Sequence, residues 1–94
     1  MKDHLVEKEE GITLVRDLRA IMRPKKDGGL GLGYREVARA VGLAEDGTGV
    51  RAWVGVWTGT KWISGRTVPT GDRKKALARF VKRMMRRMEV NSPA

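Results

Sequence analysis

The side chains of this sequence that could do chemistry are mostly cations. Arg35, Arg51, Lys61 and Arg66, with the hydroxyl of Thr48 among them, run through the middle of the chain, and Arg79, Arg83, Arg86 and Arg87 follow toward its C-terminal end. Guanidinium and ammonium groups suit the binding of phosphate oxygens, and the planar arginine fork also matches the N7 and O6 edge of guanine. A reacting centre is much harder to assemble. One histidine, no cysteine and eleven scattered acids yield no nucleophile with a base, no working pair of carboxylates and no metal cluster. No enzymatic activity, catalytic residue, metal, cofactor or small-molecule substrate is therefore expected. His4 reads as a solvated side chain near a terminus.

The formal charge is +9 over 94 residues, and residues 72–94 hold eight basic against two acidic side chains. Each phosphate neutralised by Lys or Arg releases condensed counterions, so a polyanionic partner is favoured. Three Trp, one Tyr and one Phe are little material for stacking unpaired bases, which makes double-stranded DNA the better target. No apolar run approaches the roughly 20 residues of a membrane span, and MKDHLVEKEE lacks the apolar core of a signal peptide. A cytoplasmic, nucleoid-associated location and no membrane partner are expected.

The elements that must position these groups are short. Ile12, Val15, Leu18 and Met22, flanked by Leu14 and Ile21, form an apolar stripe at helical spacing, giving a helix over 12–23 that could begin as early as Asp3, with a weak point at Gly11. Pro24 ends it. PKKDGGLGLG reads as a mobile loop, with Lys25 and Lys26 solvated or on a phosphate; its GLGLG follows no strand and lacks the lysine and hydroxyl of a nucleotide loop. YREVARAV, residues 34–41, is a second helix with Val37, Ala38 and Val41 inward, and Gly42 can take the left-handed conformation that redirects the chain.

LGYREVARAVGL, residues 32–43, resembles the first half of the helix-turn-helix of the lambda-repressor and Cro-like regulators, the Xre family. A small residue, Ala38, stands where two helices cross, with a glycine four residues on and then apolar Leu43. The family's second helix carries an apolar anchor and, three residues later, often a tryptophan; Val50 and Trp53 in TGVRAW have that separation, although two extra residues within AEDGTG lengthen the turn. The family's exit pattern, W-x-x-G-x-x-x-P, is matched by Trp62, Gly65 and Pro69. Trp53 and Trp62 thus compete for one position. Taking Trp53 leaves a β-hairpin around residues 54–63, a wing joining Val54–Trp57 to Lys61–Ile63. Trp53 and Trp62 suit core or corner packing; Trp57 packs beneath the hairpin or faces a partner.

The resemblance implies an all-α bundle of four to five helices, a DNA-binding domain over 11–83, an N-terminal extension over 1–10 and a basic helix end and tail over 84–94. It implies dimeric regulators, many of them from phages or toxin–antitoxin loci. Thr48 would cap the second helix and touch phosphate, Arg51 would pair with guanine or else bind phosphate or solvent, and Arg35 and Lys61 would contact the backbone. Asp72 is expected as the N-cap of a final helix whose stripe is Leu77, Phe80 or Val81, Met84 and Met88. Its cations, Arg79, Arg83, Arg86 and Arg87 included, suit nonspecific backbone contact. Met84, Met85 and Met88 suit either a homodimer contact or packing on the N-terminal helix, and NSPA a disordered end. The function expected is a sequence-specific transcriptional repressor; the alternatives are an architectural nucleic-acid-binding factor in DNA packaging or recombination, and a module whose basic helix binds an acidic protein.

Overall fold

The computed structural model describes residues 2–91. Four α-helices, α1 (Lys2–Met22), α2 (Tyr34–Val41), α3 (Thr48–Val54) and α4 (Gly71–Asn91), surround one core, and a hairpin of β1 (Val56–Trp57) and β2 (Trp62–Ile63) lies between α3 and α4. The expected all-α bundle with a small hairpin is what forms. No helix among the described residues is long and apolar enough to cross a membrane. Of NSPA, expected as a disordered end, Asn91 closes α4 and residues 92–94 lie outside the described ones, as does the side chain of His4.

Two 21-residue helices, each about 31 Å long at 1.5 Å per residue, pack together, and the short α2 and α3 close the remaining side. The core is Val15, Leu18, Ile21 and Met22 from α1; Val37, Ala38 and Val41 from α2; Val50, Trp53 and Val54 from α3; and Leu77, Phe80, Val81 and Met84 from α4. Ile12, expected in the stripe, is 43% exposed. At 100° per residue Ile12 and Ile21 flank Val15, Leu18 and Met22 on opposite sides, and the bundle covers the flank of Ile21, which is fully buried. Met84 is a core residue and Met85 and Met88 are partly buried against the core.

The helix does not break at Gly11, where a Cβ would come within 3.0 Å of the Pro69 carbonyl oxygen and 3.2 Å of Val68, so the glycine admits a close crossing chain. After Pro24 the loop is not the mobile segment expected. A 3-10 turn, Lys25–Asp27, folds it back, and the amides of Leu30 and Gly31 donate to the carbonyls of Ile21 and Arg23 at 2.8 Å each. These bonds satisfy acceptors that the end of α1 leaves unpaired.

Gly42 has φ 78° and its amide donates to Ala38, with the Leu43 amide on the same oxygen at 2.9 Å. That left-handed corner reverses the chain as its position implied. Arg73, from α4, adds a donor to the Gly42 carbonyl at 2.7 Å, a cation at the C-terminal end of α2 where the helix dipole favours one. Asp72 lies inside the first turn of α4 rather than capping it: the first helical bond runs from the Lys74 amide to the Thr70 carbonyl, and Gly71 has φ 60°. Lys74 pairs with Glu10 at 3.3 Å, joining α4 to α1.

Candidate nucleic-acid interface

The sequence of α3, TGVRAWV, buries Val50, Trp53 and Val54 and leaves Thr48 and Arg51 on the outside. Its position is fixed at both ends by residues distant in the chain. At the C-terminal end the Gly55 amide closes on Arg51, the amides of Arg66 and Thr67 share the Ala52 carbonyl at 2.8 and 3.1 Å, and Arg19 Nε donates to the Val54 carbonyl at 3.0 Å. Tyr34 Oη then donates to the Gly55 carbonyl at 2.7 Å. Three acceptors that a short helix would leave bare, the carbonyls of Ala52, Val54 and Gly55, are thereby satisfied, and Arg19 brings a positive charge to the negative end of the dipole.

The N-terminal end departs from expectation. Thr48 does not cap α3; Gly47 precedes the helix without a side-chain bond, and Asp46 supplies the acceptor instead. Its Oδ1 takes the Thr48 amide at 3.0 Å and the Thr48 hydroxyl at 2.9 Å. Thr48 is thus a donor to a carboxylate, because a carboxylate two residues upstream reaches the first free amide with full charge. These two bonds, and to a smaller extent the charge of Arg35, hold the Asp46 carboxyl below its ordinary range.

Arg51 is held over the ring of Tyr34, its guanidinium carbon 4.9 Å from the centroid. Arg35, one residue after Tyr34 and close enough to act on Asp46, completes a cluster. Arg35, Thr48 and Arg51, three of the side chains singled out in the sequence, therefore meet around Tyr34 and Asp46. Neither Tyr34 nor Asp46 was among the expected contributors; the D-G-T run ahead of the helix was the available signal for Asp46.

The hairpin pairs Val56 with Ile63 and Trp57 with Trp62. It begins two residues later than expected, since Val54 belongs to α3 and Gly55, with φ 79° and ψ −146°, makes the bend. Trp53 is the tryptophan in α3, so Trp62 and the following Gly65 and Pro69 leave a strand and not the helix. Trp62 lies 5.5 Å from Trp57 and edge-on to Tyr34 at 6.5 Å, and its Nε1 donates to the Arg19 carbonyl at 3.0 Å. Arg23 lies over the ring of half-buried Trp57, 5.9 Å from its centroid. Lys61 is exposed at the hairpin turn, where Thr58 donates its amide to the Lys61 carbonyl at 2.9 Å. 

Family models, curated proteins and solved structures yield no match to this chain. Local geometry therefore carries the functional reading.

The remaining expected residues fall into two further groups. Arg79, Arg83, Arg86 and Arg87, with Lys75 and Lys82, are exposed on α4; at helical spacing five of them lie away from Leu77, Val81 and Met84, and Arg87 lies at the flank, in line with Phe80. Arg66 lines a groove against α1 with Arg16 and Arg19. Among the described residues no group of His, Asp and Glu could hold a metal ion.

Proposed function

We propose that this protein is a sequence-specific double-stranded DNA-binding transcriptional regulator, a repressor of the phage or toxin–antitoxin type that acts by occupying an operator. The observation that carries the reading is Arg51: it stands on the exposed side of a short helix whose other side is core, pre-oriented by the Tyr34 ring, next to Arg35. An arginine held in one rotamer loses less freedom when it pairs with a guanine edge. Asp46 occupies the end of α3 where helix amides would otherwise take a phosphate, so backbone contact falls to the flanking cations Arg35 and Lys61, with the hairpin as a wing.

The exposed cations of α4 favour a second reading, an architectural factor that binds any duplex. The two separate on salt. Selection of bound fragments from random duplex DNA, repeated at about 50 and 200 mM salt, should return one preferred site at both for a regulator. Loss of most affinity with no preferred site at either concentration supports the architectural factor and ends the regulator reading.

A further inference from the structure

Lys8, Ile12 and Arg16 succeed one another at intervals of four along α1, and Arg19 lies one turn further on, so they share one side of the helix. That side walls an open groove of about 510 Å3, whose opposite wall is the extended segment carrying Arg66 and Val68 between the hairpin and α4. Both walls are held. The amides of Arg66 and Thr67 are fixed on Ala52, Arg19 is fixed on Val54, and a Cβ at Gly65 would come within 2.5 Å of an Arg19 nitrogen and 2.6 Å of the Trp53 carbonyl.

Charge and polarity in the groove are one-sided. Lys8, Arg16, Arg19 and Arg66 meet there and no lining residue is acidic, although α1 carries Glu9, Glu10 and Asp17 elsewhere and Glu10 is turned to Lys74. Between the cations lies apolar surface, with Ile12 43% exposed beside Val15 and Val68. A phosphate backbone would use the cations and leave Ile12 in water. A small metabolite is held by enclosure, and this groove is open. A second copy of the chain would bring its own +9 charge against the same field.

We propose that this groove is a docking site for an acidic segment of a partner protein, an extended stretch in which Asp or Glu alternates with large apolar residues. Carboxylates pair with the forks of Arg16 and Arg66, and an apolar side chain between them covers Ile12, Val15 and Val68. The proposal does not rest on duplex binding by Arg51, which is not among the residues that line the groove.

The test is a labelled peptide of about twelve residues that alternates Glu and Leu, titrated into the full chain beside a peptide of equal charge with Ser for Leu. The Leu peptide should bind about tenfold more tightly or better, and Ile12→Asp or Arg16→Glu with Arg66→Glu should remove that advantage. Lys26→Glu, a charge change on the exposed turn after α1, should not. Amide shifts should cluster at residues 12–19 and 65–68. Equal binding of the two peptides, shifts centred on α4 or α3, or full binding by Ile12→Asp overturns the proposal. So does a duplex affinity that falls with Arg16→Glu and Arg66→Glu far more than with Lys26→Glu, which assigns the groove to DNA. Circular dichroism of each variant confirms that these exposed changes leave the fold intact.

Discussion

The hydroxyl of Tyr34, at the first residue of α2, donates to the carbonyl of Gly55, the residue that ends α3, at 2.7 Å. One bond thus ties the beginning of one helix to the end of the next, and the same ring carries Arg51 on its face. A single side chain touches both helices of the pair and the outward arginine.

Tyr34→Phe keeps the ring and removes only the hydroxyl, leaving a part-buried carbonyl without its partner. Urea denaturation should show a loss of about 1–2 kcal/mol, with Tm lower by about 5–15 °C. A variant as stable as the parent would mean that the two helices are oriented by core packing alone.

Gly55→Ala should be far more damaging than Gly59→Ala. A Cβ at Gly55 would overlap the Ile63 carbonyl oxygen, in a backbone region that side chains rarely enter, whereas at Gly59 nothing lies within 4 Å and only the positive φ of 100° opposes the change. The second substitution should cost about 1 kcal/mol and the first about 3 kcal/mol or more, read from paired thermal melts.

Asp46 makes the stability of α3 depend on acid. Because its carboxyl is held below the ordinary 3.8 by the two Thr48 bonds, the folded chain prefers the ionised form; the benefit is full at neutral pH and fades as pH falls through and below that value. In a carbon-detected titration the Asp46 carboxyl should report a midpoint under 3.8, and the Thr48 amide should move with it. Asp46→Asn keeps an acceptor and deletes the charge next to Arg35, so at pH 7 it should tighten duplex binding on all sequences. Unchanged affinity would show that this end of α3 does not approach DNA.

Arg51→Lys retains the charge and loses the fork. Under the proposed function it should bind an arbitrary duplex nearly as well as the parent while losing about 1–3 kcal/mol of preference for the selected site. Arg83, Arg86 and Arg87 replaced together by Ala should instead weaken all sequences and flatten the dependence of affinity on salt. Equal loss on every sequence from Arg51→Lys would remove α3 from base recognition.

The bundle was legible in the sequence wherever a local rule applied. Pro24 stops α1, and Tyr34–Val41 with Gly42 gives a helix and its left-handed corner, because propensity, capping and i to i+4 spacing act over a single turn. The hairpin and the place of Trp53 in α3 were expected from the resemblance, together with the T-G-T turn. What the sequence by itself could not decide were the partners of side chains brought together by closure of the chain. Arg19, ordinary on its helix face, caps a helix 35 residues away; Trp62 reaches back 43 residues, Arg73 31 and Tyr34 21. Such bonds depend on where two elements dock, and docking is settled by the summed fit of an apolar core, which no window of residues contains. For the same reason Ile12, placed by its spacing in the core stripe, lines with Arg66 a groove that exists only once α1 and the segment before α4 are packed.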